Sequence, residues 1–563
     1  MGFFWTIVVL LVLLALAWRY LGAYMVGVFE GRIHFLGFIE RPIYRMLGTS
    51  PDKEQTWKRY AGSVVVFSGL SIGITYAILR LQGSLPWNPQ HFGAVGSPLA
   101  WNTATSFVTN TNWQNYGGET TMSYLSQMCA LTVQQFVTPA VGIGAALVII
   151  RGFSKKGSPT VGNFWVDMTR ALLYVLVPIA TIAGLIFVGQ GAVDTLGGPV
   201  NIHNSLNGVS QTIAVGPVGF MEAIKQLGTN GGGFFNINSA HPFENPTGLT
   251  NFLSMFLLLC IPVSLTYVFG KMVGSIRQGV AVLAAMFILF GAWTAVSATF
   301  ETQANPAVQQ AGLLHQPTGN TTGKEVRFGV PTSALFGVSS TSTSTGSADS
   351  AYDSFTPIGG GMNLTGMMLG EVTPGGVGSG MYTILIYAII AVFLGGLMVG
   401  RTPEYLGKKI QATEVKLAGL GTLVMPITVL AITGIAVSLH AGRAGPLNAG
   451  PHGFTEILYA LTSQGNNNGS AFGGLTGNTT FYNILGGIDM LIGRFGIMIP
   501  AIALGGVLAA KNVVPAGAGT FRTDNPMFVG LLIGVIVIVG GLTFFPAVSL
   551  GPIVEQLSHG KFF

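Results

Sequence analysis

Apolar residues in this chain do not alternate with polar ones. They run nearly unbroken for about twenty positions and then give way to polar stretches. The runs fall at 3–26, 61–82, 127–151, 170–190, 250–273, 279–299, 381–400, 416–439, 486–510 and 526–548. A helix rising ~1.5 Å per residue needs ~20 residues to cross ~30 Å of hydrocarbon, so each run predicts a spanning helix. In the first run Ala15-Leu16-Ala17 mimics a leader cleavage box. No Lys or Arg precedes it, however, and Arg19 lies at its far end, so a retained helix with its N-terminus outside is expected.

The polar segments carry charge unevenly. Those after the odd-numbered runs hold Arg32, Arg41, Arg45, Lys53, Lys58, Arg59, Arg151, Lys155, Lys156, Arg170, Lys271, Arg277, Arg401, Lys408, Lys409, Lys416, Lys511 and Arg522. The opposite segments hold Lys225, Lys324, Arg327 and Arg443. This asymmetry predicts that the first set faces the cytoplasm and that both termini lie outside. Charged residues make up only 8% of the chain and mean hydropathy is +0.58. So few charges cannot cover a soluble surface, which excludes a soluble enzyme, a nucleic-acid binder and a disordered protein. Cys129 and Cys260 both lie in apolar runs and are read as buried small hydrophobes, with no disulfide framework.

The long polar segments, 83–126, 191–249, 300–380 and 440–485, carry the chemistry. Residues 216–227 read GPVGFMEAIKQL and residues 450–461 read GPHGFTEILYAL, with identical Gly, Pro, Gly, Phe, Glu and Leu. Each predicts an amphipathic helix too short to span. Each precedes a polar tract, Gly228-Thr229-Asn230-Gly231-Gly232-Gly233 or Gly465-Asn466-Asn467-Asn468-Gly469-Ser470. The first segment repeats the plan with Trp101 to Val108 and then Thr109-Asn110-Thr111-Asn112. The third does so with Pro331 to Ser340 and a Ser/Thr tract ending in Thr345-Gly346-Ser347. The chain thus divides into 1–60, a first helix and cytoplasmic loop; four repeats at 61–151, 170–273, 279–400 and 416–510; and 511–563, a last helix and C-terminus.

A polar extended loop cannot face lipid, because its N–H and C=O groups would go unsatisfied. It is tolerated at membrane depth where it lines a watery path. Four such loops about one axis would make a ring of carbonyls able to replace the water around a bare monovalent cation. The four tracts contain no carboxylate, which argues against a divalent ion. Spacing leaves two readings of the fourth unit. Glu222 precedes Gly231 by nine residues and Glu456 precedes Gly469 by thirteen. Either the fourth half-helix is a turn longer or the repeat stops short of the tract.

The stretches SFVTNTNWQNYGGET (106–120), IKQLGTNGGGFFNINSAHPFENPT (224–247), GRTPEYLGKKI (400–410) and GPHGFTEILYALTSQGNNNGSAF (450–472) closely resemble the potassium-channel-like A subunit of the bacterial Kdp potassium-transporting ATPase. The resemblance implies an all-α polytopic fold of the potassium-transporter superfamily. That fold has ten transmembrane helices and four membrane–pore–membrane units around a central filter. It implies K+ as the transported ion, no other cofactor, and residence in the bacterial inner membrane. It implies as partners a P-type ATPase B subunit, a single-span C subunit, a small F subunit and the lipid bilayer, with no nucleic acid. It also implies that the ion leaves the filter sideways, toward the B subunit. Carried over residue by residue, the filter is Asn110, Thr111, Asn112; Thr229, Asn230, Gly231 with Gly232 beside it; and Asn467, Asn468, Gly469. In the third loop, counting back from Asp353-Ser354-Phe355 gives Ser344, Thr345, Gly346 inside a low-complexity tract whose register could slip by two.

Other residues invite roles outside the filter. Arg494 lies inside the ninth run and is read as an electrostatic stop or brace near the ion path, against a structural pair. Gln114 follows the first tract and is read either as bracing it through a hydrogen bond or as a surface residue. Glu119, Glu222, Glu371 and Glu456 are expected at the rim of an outer vestibule. Arg401, Glu404, Lys408 and Lys409 offer a docking surface for a partner. No nucleotide signature is present: the Gly-Lys pairs ending at Lys271, Lys324, Lys408 and Lys561 are followed by Met, Glu, Lys and Phe, never Ser or Thr, and no DKTG motif occurs. The chain is therefore expected not to hydrolyse ATP by itself. A stand-alone potassium channel or transporter of the same superfamily is the alternative, and a secondary permease for small solutes a more distant one.

Overall fold

A computed structural model describes residues 2–203, 208–313, 315–398, 400, 402–515 and 521–558. Among these, ten helices are long and apolar enough to cross a membrane: Phe3–Phe29, Trp57–Ser84, Ser126–Ser154, Phe164–Gly189, Gly248–Met272, Ile276–Gln310, Ser379–Met398, Ala412–Ser438, Thr480–Ala509 and Pro526–Leu557. Several begin at the residue that physical chemistry favours. The side chains of Thr56, Asn163, Thr247, Thr479 and Asn525 each accept a backbone N–H from the first turn that follows. The fourth span starts six residues earlier than its apolar run, because Asn163 caps it ahead of the polar Asp167 and Arg170.

The spans differ in what they face. The third, fifth and seventh are mostly buried, whereas the first, second and last present most of their surface outward. Small residues explain how the central spans pack. A Cβ on Gly152 would stand 2.6 Å from the Gly505 carbonyl oxygen, and one on Gly505 2.6 Å from that of Val148, so the third and ninth spans meet backbone to backbone. The first span lies along the fifth. There Trp18 Nε1 donates to Thr266 Oγ1 at 3.0 Å and its ring meets Tyr267 edge-on.

Between paired spans lie four half-helices, Ser97–Val108, Gly219–Leu227, Val330–Thr341 and Gly450–Gly465. The fourth, counted from the matched Gly453, is one turn longer than the second counted from Gly219, which settles the spacing question in favour of a longer helix. The third unit departs from a simple loop. A buried helix, Pro357–Met368, is followed by an irregular Gly-rich segment, 369–378, before the seventh span begins. Among the described residues there are also two two-stranded ribbons, Val200–His203 with Ser210–Ile213 and Glu404–Tyr405 with Lys408–Lys409. Of the cysteines, Cys260 is buried as expected but Cys129 is exposed, because it lies on the outward side of the π-helical turn Ser126–Thr132.

Candidate functional site

Each half-helix ends in the same way. The N–H groups of Thr111, Asn230, Thr345 and Asn468 reach back five residues to the carbonyls of Ser106, Lys225, Ser340 and Ser463, at 2.9, 2.9, 3.2 and 2.8 Å. This is the Schellman closure, which requires a left-handed residue just past the helix. Asn110, Thr229, Ser344 and Asn467 supply it, with φ of 67°, 49°, 52° and 58°. Two residues on, φ is positive again, at Asn112 (56°), Gly231 (84°), Gly346 (78°) and Gly469 (91°). All four loops thus alternate left-handed and ordinary backbone, which turns successive carbonyls toward the same side. Thr229 is β-branched, and a positive φ there is strain held in place by its surroundings. The alternation sets the third register at Ser344-Thr345-Gly346, with no slip.

The loops close into a ring. A Cβ on Gly231 would stand 1.8 Å from the carbonyl oxygen of Thr345; on Gly346, 2.5 Å from that of Asn468; on Gly469, 1.8 Å from that of Thr111. A Cβ on Gly232 would lie 3.0 Å from Asn112 Cβ. Loops one to four therefore follow one another around a common axis. At three of the four joints a glycine lies against the next loop's middle carbonyl, where nothing larger fits. Asn112 takes the fourth place; its amide is buried and has no hydrogen-bond partner among the described residues.

Side chains tie the ring together from behind. Asn110 donates to the Thr229 carbonyl at 2.8 Å and accepts from Asn230 Nδ2 at 2.7 Å and Thr138 Oγ1 at 2.7 Å. Asn467 donates to Thr111 Oγ1 at 3.0 Å, and Asn468 to Glu371 Oε1 at 2.8 Å. Gln114 forms a reciprocal pair with Gly233, donating to its carbonyl at 2.9 Å and accepting its N–H at 3.0 Å. Gly232 lies past the alternation and its carbonyl accepts Gln135 Nε2 at 2.6 Å, so it anchors the second loop to the third span instead of joining the ring.

The two sides of the ring differ. The last residues of the loops, Asn112, Gly231, Gly346 and Gly469, line an open cavity of about 790 Å³ with Trp113, Tyr116, Asn238, Lys324 and Glu456. On the other side, Ser344 and Asn467 border a pocket of about 20 Å³ with Glu371, Ser379, Tyr382 and Arg494. Arg494 is buried and donates to the Thr138 carbonyl at 3.4 Å. The segment 369–378 seals this side. Gly375 N–H donates to the Ser342 carbonyl at 2.9 Å, Val377 N–H to Thr229 Oγ1 at 3.0 Å, and Ser344 Oγ to Glu371. A ring open to bulk on one side and closed by a carboxylate, a guanidinium and a Gly-rich segment on the other could hold a dehydrated monovalent cation.

Some expected residues lie elsewhere. Glu371 is on the closed side of the ring, not at a rim, because the third unit folds back beneath its own half-helix. Glu222 is buried in an ion cluster with Lys225, and Glu456 accepts Leu447 N–H and Asn448 Nδ2 at 3.0 and 2.7 Å, while still lining the cavity. Glu119 is only half-buried and accepts Asn236 N–H at 3.0 Å. Lys408 does not face a partner: it is buried, and its ammonium donates to the carbonyls of Lys155 and Lys511. Lys409 is exposed, Glu404 pairs with it in the ribbon, and Arg401 lies outside the described residues. Sequence reasoning missed the bracing residues Gln135, Thr138 and Asn238, which lie outside the tracts and carry no composition signal.

Comparisons with known proteins follow the same line. Residues 7–557 match the family described as potassium-transporting ATPase A subunit. The potassium-transporting ATPase potassium-binding subunit of Methylorubrum extorquens is 55% identical over 551 residues, covering 97% of this chain and 96% of that protein. The protein of the same description from Mesorhizobium japonicum is 55% identical over 549 residues, covering 96% of each. The crystal structure of the potassium transporter TrkH from Vibrio parahaemolyticus superposes with a TM-score of 0.51 at 14% identity, over 80% of this chain and 85% of that one, a likeness of fold.

Proposed function

Because the chain belongs to the potassium-transporting ATPase A subunit family, we propose that its four-loop ring binds K+ and that a partner protein supplies the ATP hydrolysis. The open cavity is then the external mouth, both termini lie outside, and the basic segments face the cytoplasm of a bacterium with this chain in its inner membrane. One observation carries the reading: the shared alternation of backbone sign in all four loops, with each loop seated on its neighbour. Carbonyls held this way replace hydration water without reorganising, and their number and field favour K+ over Na+. The seal of Glu371, Arg494 and residues 369–378 blocks straight passage through the ring, so the ion leaves by another route, toward the ATP-hydrolysing B subunit. The single-span C subunit and the small F subunit complete the assembly. The exposed Lys409, with the half-buried Glu404 opposite it in the ribbon, remains the docking surface offered to a partner.

The test is K+-dependent ATP hydrolysis by the assembled complex carrying Gly231→Ser, Gly346→Ser or Gly469→Ser. Each raises the half-saturating K+ concentration at least tenfold and lowers K+/Na+ discrimination. Gly248→Ser, whose Cβ would meet nothing within 4 Å, changes neither. Unchanged affinity in all three ring variants overturns the reading. Gradient-driven K+ flux by this chain alone would favour a stand-alone channel.

A further inference from the structure

The ring is fourfold in backbone but not in what stands behind it. The residue whose carbonyl receives the loop's middle N–H is Ser106, Ser340 or Ser463 in three units and Lys225 in the second. The Lys225 side chain is wholly buried. Its ammonium donates to Glu244 Oε2 at 2.6 Å and Asn238 Oδ1 at 2.9 Å, and forms an ion pair with Glu222 Oε2 at 2.6 Å. Asn238 Nδ2 in turn donates to the Gly231 carbonyl at 2.6 Å.

We propose that Lys225 is a positioning residue for K+ selection: through Asn238 it fixes the direction of the Gly231 carbonyl without touching the ion. The reason lies in the amide. Its oxygen and nitrogen ends are nearly alike in shape, so only the partners decide which way it points. The ammonium draws Oδ1 to itself, as do Ser239 N–H at 2.9 Å and Ser347 Oγ at 3.2 Å. That leaves Nδ2 for the Gly231 carbonyl, whose second lone pair stays free for the axis. Glu244 extends the grip, because its other oxygen accepts Phe235 N–H at 2.8 Å and holds the chain just beyond the ring. A buried ammonium is worth its desolvation only when fully paired, and here the pairing spans the half-helix, residues 235–244 and, through Ser347, the third loop.

This inference rests on the ring being the K+ site, and the experiment separates the two. K+ dependence is measured on the assembled complex carrying Lys225→Gln, Lys225→Arg, Asn238→Asp and the pair Lys225→Gln/Asn238→Asp. Lys225→Gln/Glu222→Gln is added to relieve one unpaired carboxylate should the single variant fold poorly. Lys225→Gln raises the half-saturating K+ about tenfold, with turnover at saturating K+ changing less than twofold. Lys225→Arg returns it to within about threefold of the parent. Asn238→Asp keeps an acceptor for the ammonium but loses the donor to Gly231, and gives a similar rise. The Lys225→Gln/Asn238→Asp pair is no worse than either single change, because both act through one bond. Unchanged K+ affinity in Lys225→Gln and Lys225→Gln/Glu222→Gln, multiplying effects in the Lys225→Gln/Asn238→Asp pair, or a fall in turnover and yield alone would overturn the proposal. If Gly231→Ser is also silent, the ring assignment itself has failed.

Discussion

The second and fourth half-helices start from the same residues, GPxGFxE, and are held in place by different chemistry. At the entry, Val218 packs into an aromatic cluster with Tyr124, Phe234 and Phe235, whereas its counterpart His452 is clasped between Asp353 and Glu555 at 2.8 and 2.9 Å. Glu222 pairs with a buried lysine, while Glu456 caps backbone and an asparagine. Where the second has Lys225, the fourth has Tyr459, whose hydroxyl meets Ser470 Oγ at 2.9 Å, and Ser470 in turn donates to Asn468 Oδ1 at 2.6 Å. The fourth half-helix then runs one turn further before the same Schellman closure. The shared motif governs how the chain enters the helix, and the closure governs how it leaves. What lies between is free to differ, provided each loop is braced.

The largest effect should come from erasing the extra turn. Deleting residues 461–464 would withdraw the fourth loop by roughly 6 Å, at ~1.5 Å per residue, and leave Thr111 and Gly346 without their neighbour. Uptake at low K+ should fall more than a hundredfold, and retention of high-affinity uptake would show that the turn does not set the ring. A smaller effect is expected from Tyr459→Phe, which removes a neutral hydrogen bond worth ~1 kcal/mol. Half-saturating K+ should rise about fivefold, less than for Lys225→Gln. An effect equal to or larger than that of the lysine variant would make the two braces equivalent.

The smallest effect concerns His452. Burial pushes its imidazolium toward deprotonation, but the hydrogen bonds to Asp353 and Glu555 outweigh that and raise its pKa from 6.5 to about 10. A group whose folded pKa is raised stabilises the fold fully below about 6.5 and loses that contribution as pH climbs to about 10. The Tm gap between the parent and His452→Gln should therefore be widest at about pH 6, narrow through neutrality and close toward pH 10. A gap that widens with pH would contradict the clasp.

The ten spans were legible because an apolar run of that length has no other stable use. Glycine marked three of the four ring joints, since only it accepts both the left-handed backbone and the neighbour's carbonyl. The left-handed backbone at Asn110, Thr229, Ser344 and Asn467 was not legible, because these residue types usually adopt other conformations and only the helix closure imposes this one. The repeat match fixed where the fourth half-helix begins and was silent about where it ends. Nothing in the sequence singles out residues 369–378, since a Gly- and Pro-rich stretch in an outer segment usually marks a surface turn. Only tertiary contacts reveal that it closes the ring and carries Glu371 beneath it. Lys408 read as a surface cation because a basic residue in a short loop usually is one. Its burial depends on two carbonyls, Lys155 and Lys511, from distant loops.

That the four loops belong to one polypeptide has a genetic consequence. In a channel assembled from four identical chains, one codon change alters the pore four times over, so only changes tolerable in quadruplicate survive. Here Asn112 can stand where the other loops keep glycine, and Lys225 can supply the closing carbonyl that serine supplies in the others, each without disturbing its three counterparts. On the K+-binding reading proposed above, affinity can thus be adjusted a quarter of the ring at a time.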